Sequence, residues 1–403
     1  MINVAVLGYG TVGSGVTEVL EINKKKIEQR IGDEIHVKYV LDLREFPGDP
    51  VQEVLVHDFA EILNDKEVDI VAEVMGGIEP AYTFVKKSLE AGKHVTTSNK
   101  ALVEMHGAEL MEVARANKCN FLFEASVGGG IPIIRPLGTS LTADKIEEIS
   151  GILNGTTNYM LSKMFYEGAD YDEVLKEAQN KGYAEKNPEA DVEGYDTGRK
   201  IAILASIITE KKVSFEDIYT EGITKITAMD MRYAKKLGMT IKLIASAKMM
   251  GENISAMVAP VMIGEKHPLY SVNDVFNAVF VRGNVLGDAM FYGSGAGKLP
   301  TASAVVADIV DIARNKEKDI MVSWSREPAD LTEKGEGKKC FFVRIAGNRA
   351  EWEEQLKESF GWMQIVEIEK EEFAFLTSTM KESEYEIQAE KYNNIISMIR
   401  VEE

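Results

Sequence analysis

Residues 1–136 alternate between short apolar runs and longer segments in which apolar positions recur at helical spacing. After the first run, Val16, Val19, Leu20 and Ile27 follow the period of a helix. Five apolar runs predict buried strands, at Ile2–Leu7, Val37–Leu41, Asp69–Val74, His94–Thr97 and Asn120–Ala125. Strands that alternate with helices predict an α/β fold with a Rossmann-type parallel sheet.

From Ile146 the pattern becomes that of a second domain with mixed helices and strands. Helical spacing runs over Met160–Asn180 and returns at Met229–Leu237. Strands are predicted at Ile146–Leu153, Lys242–Met249, Ile254–Val261 and Val279–Val285, in an antiparallel sheet with one face in contact with water. The helix predicted at Ala302–Asn315 is rich in alanine and valine, and we expect it to return to the first domain.

The last part of the chain follows a polar, charged segment, Ser325–Lys339, which has the composition of a linker. The order strand, helix, strand, strand, helix, strand is then predicted at Phe341–Ala346, Ala350–Ser359, Met363–Ile368, Phe373–Thr377, Glu382–Tyr392 and Ile395–Val401. That order is ferredoxin-like. The 403 residues are therefore expected to form a Rossmann domain (1–136 and 300–320), a second α+β domain (137–299) and a small ferredoxin-like domain (340–403).

Charge and composition exclude several classes of protein. A net charge of −19 leaves no basic stripe to neutralise phosphates, so we expect no nucleic-acid and no membrane partner. Cys119 and Cys340 are the only cysteines and form neither a disulfide framework nor a metal-type spacing, and the five histidines form no zinc ligand set. The chain shows no secretory leader pattern and no apolar run of membrane-spanning length, so a cytoplasmic location is expected.

A glycine-rich turn follows the first predicted strand. Gly8, Gly10 and Gly13 have the GxGxxG spacing, with Thr11 and Val12 between them. Between a strand and a helix, such glycines permit the tight turn that brings a dinucleotide pyrophosphate to the helix N-terminus. The alternative is a glycine turn without a ligand, but the flanking strand and helix favour the nucleotide site.

The end of the second strand bears on cofactor choice. Asp42 could hold a ribose 2′-hydroxyl, whereas Arg44 could accommodate a 2′-phosphate. Both residues are present, so the sequence leaves NAD and NADP open. The long first helix also places Asp42 later in the chain than is usual for this role.

The segment Gly182–Lys200 leads directly into an apolar helix and carries candidate catalytic groups. Asp196 and Lys200 are four residues apart and share one helix face, with Glu185 and Asp191 upstream. An ordinary ion pair that stabilises the helix is the alternative. The residues that follow are apolar all round, which predicts a buried lysine beside a carboxylate, a pair able to hold an ammonium group and move a proton.

Two further segments follow strands of the first sheet. Lys100, in Ser98-Asn99-Lys100, lies where parallel strands deliver catalytic residues near a cofactor. A helix cap followed by a solvated lysine is the alternative. After the fifth strand, the glycines at 128–130 either expose main-chain carbonyls to a ligand or ion, or form a tight bend.

Together these segments resemble the homoserine dehydrogenase family over roughly residues 1–320. The resemblance is carried by Gly8-x-Gly10-x-x-Gly13, Ser98–Leu102, Glu124–Pro132, Gly151–Tyr159, Gly182–Lys200 and Gly293–Ser303. It implies the NAD(P)-dependent interconversion of L-homoserine and L-aspartate 4-semialdehyde, on the route to threonine and methionine. It also implies that the second domain binds substrate and mediates dimerisation, within a homodimer or homotetramer.

The resemblance further implies roles for individual residues. Lys200 would donate a proton to the aldehyde oxygen as hydride arrives, and Lys100 would lie between nicotinamide and substrate. Glu185 and Asp196 would hold the amino and hydroxyl ends of the substrate. The candidate cofactor-binding residues are Gly8, Gly10, Thr11, Val12, Gly13, Arg44, Lys100, Gly182 and Gly297. A monovalent cation such as sodium would be bound by mostly main-chain oxygens of Glu124, Val127, Gly129 and Ile131.

The C-terminal domain is similar to the regulatory ACT module that many such enzymes carry. ACT modules that bind an amino acid commonly have an Asp-x-Pro-Gly turn after the first strand, and this chain has Arg344–Arg349 there. A module that binds threonine and one that only supports oligomerisation both remain open.

Three rival functions fit parts of the pattern. A semialdehyde dehydrogenase needs a nucleophilic cysteine with a base nearby, and Cys119 has no catalytic-looking neighbours. A related amino-acid dehydrogenase would share the cofactor fingerprint. A nucleotide-sensing protein with a dead active site would not need Lys100, Glu185, Asp196 and Lys200 together, so the active enzyme is favoured.

Overall fold

The N-terminal part of the molecule is a six-stranded parallel sheet, seen in a computed structural model that describes residues 1–361 and 364–402. Its strands are β1 (Ile2–Leu7), β2 (Ile35–Leu41), β3 (Leu55–Val56), β4 (Ile70–Glu73), β5 (His94–Thr97) and β6 (Phe121–Leu122). Their order, β3-β2-β1-β4-β5-β6, is that of a Rossmann sheet. The predicted fold class is confirmed, and the crevice that suits a dinucleotide lies between β1 and β4.

The helices of this part differ from the prediction mainly at their ends. They are α1 (Thr11–Ile22), α2 (Lys24–Ile31), α3 (Phe59–Asn64), α4 (Ala81–Glu90), α5 (Lys100–Ala116) and α6 (Ile134–Thr139). The prediction of one long first helix was wrong, because the chain breaks at Asn23 between α1 and α2. The fifth strand was predicted to reach Ala125, but it ends at Leu122 because Glu124–Ser126 forms a 3-10 turn.

The central part combines helices with a mainly antiparallel sheet, as predicted, but the prediction of one sheet face in contact with water is wrong, because the two longest strands are buried on both faces over most of their length. Its elements are β7 (Ile146–Ile152), α7 (Gly155–Glu167), α8 (Tyr171–Asn180), α9 (Glu189–Val192), α10 (Tyr195–Thr209), β8 (Tyr219–Thr220), α11 (Ala228–Lys236), β9 (Met239–Met250), β10 (Asn253–Gly264), β11 (Phe276–Gly283), β12 (Gly287–Ser294) and α12 (Lys298–Arg314). The strand order is β12-β11-β7-β9-β10. Strand β12 was not predicted, because it lies at the sheet edge and its glycine-rich end reads as a loop.

Helix α12 returns to the first sheet, as its composition predicts. A Cβ atom on Gly15 of α1 would lie 2.9 Å from the Cβ of Ala302, so the two helices approach closely at this point. The buried carboxylate of Asp308 accepts hydrogen bonds from Thr96 Oγ1 (2.9 Å) and from the main-chain N–H of Glu124 (3.0 Å). The helix therefore holds the end of β5 and the loop that follows β6.

The C-terminal part has the predicted ferredoxin-like topology. Its elements are β13 (Lys338–Ala346), α13 (Arg349–Phe360), β14 (Gln364–Val366), β15 (Glu372–Leu376), β16 (Met380–Lys381), α14 (Glu382–Ala389) and β17 (Ile395–Glu402). The order β17-β13-β15-β14 is antiparallel throughout. Met363, where the third of these elements was predicted to begin, lies outside the described residues. Glu403, the last residue of the predicted domain, also lies outside them.

The last strand joins this part to the central sheet. Strand β17 pairs in parallel with β10, and Arg400 lies opposite Val261. Within the described residues, strands β7 to β17 therefore form one continuous eleven-stranded sheet, separate from the first sheet. The predicted domain start at residue 340 falls inside β13 (Lys338–Ala346). Among the described residues, no helix has both the length and the apolar character needed to cross a membrane.

Candidate active site

A cavity of about 550 Å³ brings most of the predicted site residues together. It lies between the carboxyl ends of the first sheet and the start of α10. The predicted residues that line it are Val12, Lys100, Val127, Gly129, Gly182, Glu185, Asp196, Lys200 and Gly297. These residues come from both the first sheet and the central part of the chain, so the cavity is formed only when the two pack together.

Lys200 is buried within this cavity and is held at two points. Helix α10 begins at Tyr195, after Gly194 in a left-handed conformation (φ 81°). The predicted pairing is present: Lys200 Nζ donates to Asp196 Oδ2 at 2.7 Å. It also donates to the main-chain carbonyl of Leu153 at 2.8 Å, at the end of β7. The ammonium group is therefore fixed between α10 and the central sheet.

Lys100 approaches the same carboxylate from the first sheet. The side chain of Asn99 caps α5 by accepting from Leu102 N (3.2 Å), which starts that helix at Lys100. Lys100 Nζ lies 2.9 Å from Asp196 Oδ1. The helix cap of the alternative is present and the Lys100 side chain is 41% exposed, but its ammonium group is paired, and Asp196 therefore bridges Lys100 and Lys200.

The two lysines set the electrostatics of Asp196. Burial alone would raise the pKa of this carboxyl, but the charges of Lys200 and Lys100 outweigh it and hold the pKa below its usual range. The charge of Asp196 likewise raises the pKa of Lys100 against the opposing effect of burial. Asp196 therefore stays ionised between the side chains of Lys100 and Lys200.

Two further residues belong to this cluster. Asn154 Nδ2 donates to Asp191 Oδ1 at 2.7 Å and to Asp196 Oδ2 at 3.0 Å. Burial, followed by the charge of Asp196, raises the pKa of Asp191. Asn154 lies in the Gly151–Tyr159 segment that carries the resemblance, but the sequence predicted no role for it in the site, because its contacts with Asp191 and Asp196 join distant segments of the chain. Glu185 is exposed and lies on the wall of the same cavity.

A second cavity, of about 490 Å³, lies at the glycine turn after β1. Gly8 and Gly10 line it, and Thr11 starts α1 beside them. A Cβ atom on Gly13 would lie 1.9 Å from the carbonyl oxygen of Gly8, so only glycine permits this turn. The N-terminus of α1 faces the turn, which suits the binding of a pyrophosphate.

Asp42 and Arg44 lie together at this second cavity. Arg44 Nε donates to Asp42 Oδ1 at 2.9 Å, and Tyr9 N donates to Asp42 Oδ2 at 2.8 Å. The hydrogen bond from Arg44 holds the pKa of Asp42 below its usual range. Both oxygens of the carboxylate are already engaged, whereas Arg44 itself is exposed.

The loop that follows β6 holds the predicted cation ligands. The carboxylate of Glu124 accepts from Ile133 N (2.6 Å), Ile134 N (2.9 Å) and Arg135 N (2.7 Å), so it caps α6 and does not face a cation. Among the described residues, no N–H or O–H group donates to the main-chain carbonyls of Val127, Gly129 or Ile131. The described residues contain no metal-type cluster of His, Cys, Asp or Glu.

Cys119 does not have the environment of a nucleophile. Its thiol is buried and donates to the main-chain carbonyls of Leu89 (3.6 Å) and Ala114 (3.5 Å). Burial raises the pKa of the thiol to about 12. A reactive cysteine needs the opposite shift, so the structure opposes the thioester mechanism of the first rival function.

Comparison with known proteins decides the family. A family model described as "Homoserine dehydrogenase" matches residues 132–310, and one described as "Homoserine dehydrogenase, NAD binding domain" matches residues 8–124. The chain belongs to the homoserine dehydrogenase family. The predictions of that family and of an NAD(P)-dependent oxidoreductase are confirmed.

Named relatives agree with this result. The chain is 44% identical to homoserine dehydrogenase of Bacillus subtilis over 317 residues, which cover 78% of this chain and 73% of the relative. It is 46% identical to that of Synechocystis over 335 residues, covering 81% and 76%. The crystal structure of a homoserine dehydrogenase from Thiobacillus denitrificans matches with a TM-score of 0.92 at 36% identity, over 100% of this chain and 98% of that one.

One solved structure is informative about both cofactor and length. A hyperthermophilic archaeal homoserine dehydrogenase in complex with NADPH matches with a TM-score of 0.67 at 28% identity. The match covers 99% of that protein but only 79% of this chain. A family member therefore exists whose whole fold corresponds to only part of this chain.

Proposed function

We propose that this chain interconverts L-homoserine and L-aspartate 4-semialdehyde in a reaction for which Lys200 supplies and removes the proton. The observation that carries the assignment is the buried Asp196 carboxylate between Lys200 and Lys100, in a cavity that also reaches the glycine turn at Val12. The nicotinamide cofactor supplies or accepts the hydride. The residues of the chain bind the substrate, orient it and move the proton.

The hydrogen bonds of Lys200 leave it one free donor. A lysine ammonium has three N–H groups, and here Asp196 and the carbonyl of Leu153 accept two of them. The third can point at the substrate oxygen. As the aldehyde becomes an alkoxide, the ammonium charge stabilises the negative charge and the proton passes from Nζ to oxygen. In the reverse direction Lys200 accepts the hydroxyl proton.

The carboxylates of the cavity suit the amino group of an amino-acid substrate. Glu185 lies on the exposed wall, and Asp191 and Asp196 lie deeper. Charge-assisted hydrogen bonds from an ammonium group to carboxylates are short and strong. We assign the amino end to Glu185 and Asp191 and the hydroxyl end to the Asp196–Lys200 pair, with Lys100 between nicotinamide and substrate.

The reaction is tested by following the absorbance of reduced nicotinamide when purified protein meets L-homoserine with NAD+ or NADP+. A homoserine-dependent rise is the expected result. No rise with either cofactor, in protein that still binds NADPH, would assign the chain to a related dehydrogenase or to a nucleotide sensor.

Arg44 is proposed to select NADP over NAD. We expect Arg44→Ala to lower the ratio of kcat/KM with NADP+ to that with NAD+ by about 10- to 100-fold, the range for loss of a hydrogen bond to a charged group. The change frees Asp42, which then can accept from a ribose hydroxyl. Arg326→Ala, which removes an exposed ion pair with Glu112, is the control. An unchanged ratio would remove Arg44 from cofactor selection.

A monovalent cation such as sodium fits the loop after β6. Carbonyl oxygens of Val127, Gly129 and Ile131 have no hydrogen-bond donor among the described residues, and Glu124 would add its own carbonyl. A cation would satisfy these oxygens and hold the loop beside the cavity. Its contribution is therefore proposed to be structural.

Gly128→Ala tests the cation site. The added Cβ would lie 2.3 Å from the carbonyl oxygen of Ile131 and must displace it. We expect the sodium concentration for half-maximal activity to rise about tenfold, equivalent to about 1.4 kcal/mol of binding free energy. Gly264→Ala is the control, because its Cβ would meet no atom within 4 Å. Activity that does not depend on sodium in the unaltered protein would contradict the cation site.

The remaining assignments concern the whole protein. We propose the three-domain division given above, a homodimer or homotetramer formed through the central domain, and a cytoplasmic location. The ACT-like role of the C-terminal part stays a prediction, and inhibition by L-threonine in the same assay would distinguish a regulatory module from a purely structural one.

A further inference from the structure

We propose that Asn154 is a positioning residue whose amide group holds Asp191, which receives the ammonium end of the substrate, at a fixed distance from Asp196, which receives the hydroxyl end together with Lys200. The inference rests on the proposed function, because it assumes that this cavity binds an amino acid. It assigns to Asn154 a task beyond the capping of a helix.

The orientation of the Asn154 amide is fixed by the main chain. Residue 154 lies between β7 and α7, and its Oδ1 accepts from the main-chain N–H of Thr157 at 2.9 Å. Because the oxygen is committed to this N-cap, the amino group must point the other way. The side chain is also buried, so few other rotamers are open to it.

The amino group is shared between two carboxylates. One bond goes to Asp191 Oδ1 (2.7 Å) and one to Asp196 Oδ2 (3.0 Å). An amide NH2 has two hydrogens, so each carboxylate receives one. Asp191 is carried by the short helix α9, whereas Asp196 lies on α10. Asn154 is thus the group that fixes the distance between the two acids.

The two carboxylates depend on Asn154 to different degrees. Asp196 also pairs with Lys200 and Lys100 at 2.7 and 2.9 Å. Asp191 has no ion pair within 4.0 Å among the described residues. Loss of the amide donor should therefore disturb Asp191 far more than Asp196.

The charges that face Asp191 point to a pH-dependent effect. Burial and the charge of Asp196 raise its pKa, whereas the hydrogen bond from Asn154 and the charges of Lys200 and Lys100 lower it. Glu185 lines the same cavity. Without the amide donor the pKa of Asp191 rises further. The acid limb of substrate binding then moves to higher pH, because a neutral carboxyl binds an ammonium group poorly.

Asn154→Ser separates the positioning role from the capping role. Serine is as good an N-cap as asparagine, but its side chain is shorter and its hydroxyl has a single hydrogen, so it cannot donate to both carboxylates. We expect KM for L-homoserine to rise about 10- to 100-fold, the range for loss of a hydrogen bond to a charged group. We expect kcat to change less than KM, the acid limb of kcat/KM to shift to higher pH, and NADPH binding to stay unchanged.

Two further variants complete the test. Asn348→Ser makes the same exchange at the N-cap of α13, where Oδ1 accepts from Ala350 N (3.0 Å), and should leave the kinetics unchanged. Asn154→Asp keeps the cap and the shape but adds a third carboxylate, so we expect a larger shift of the acid limb than with serine. It also serves if the serine variant fails to fold.

The outcomes distinguish this inference from the proposed function. Unaltered protein that does not oxidise L-homoserine would overturn the function itself. If the unaltered protein is active, and a folded Asn154→Ser or Asn154→Asp variant has the same KM and the same acid limb of kcat/KM, only the role of Asn154 is overturned. A loss confined to kcat with an unchanged acid limb would also overturn it, because Asp191 would then not be the residue affected.

Discussion

Lys200→Ala is expected to lower kcat for homoserine oxidation by about 10³-fold, in the middle of the range for loss of a general acid or base. The alanine variant lacks both the proton carrier and the charge that stabilises the developing alkoxide. The fold should survive, because Asp196 remains paired with Lys100 at 2.9 Å. The measurements are steady-state turnover and NADPH affinity, and only the first should change.

Two controls separate proton transfer from charge and from helix stability. Lys200→Arg keeps the positive charge, but a guanidinium does not release its proton at ordinary pH, so turnover should remain strongly impaired. Lys163→Ala removes the i,i+4 partner of Glu167 on the surface of α7 and should leave turnover unchanged. A folded Lys200→Ala protein with normal turnover would show that another group carries the proton.

The local part of this site could be predicted from the sequence. Asp196 and Lys200 are four residues apart on one helix, so their pairing follows from helix geometry alone. The contact of Lys100 with Asp196 depends on how two domains pack, and no local spacing contains it. The prediction that Lys100 follows a strand of the first sheet is confirmed, but its partner could be identified only from the tertiary structure.

The same distinction explains what was missed in the fold. Buried parallel strands such as β1, in which Asn3 is the single polar residue, are nearly continuous apolar runs and are easily recognised. Strand β12 lies at an edge, where half its side chains face water and glycines interrupt the pattern. The pairing of β17 with β10 joins segments far apart in the chain, and strand patterns do not specify which edges meet.

That pairing leads to the second large prediction, which concerns Arg400 of β17. Its guanidinium is 1% exposed and donates from Nε to Glu382 Oε2 (3.0 Å) and from Nη1 to Glu221 Oε2 (2.7 Å). Glu382 is fully buried, whereas Glu221 is partly exposed. Arg400→Met would leave a buried carboxylate without its main partner, which costs about 3–5 kcal/mol of folding free energy.

The measurement is the free energy of unfolding from denaturant titration, with two companion variants. Arg400→Met with Glu382→Leu removes both charges and should recover most of the loss, since apolar replacement of a whole buried pair is often neutral. Lys381→Met breaks an exposed pair with Glu336 and should change the free energy of unfolding by no more than about 0.5 kcal/mol.

If the double variant were as unstable as Arg400→Met alone, the bond to Glu221 on the central part would carry the stability. If Arg400→Met unfolded like the unaltered protein, the C-terminal part would be held by the β10–β17 pairing and its apolar contacts instead, and the ion pair would contribute nothing measurable.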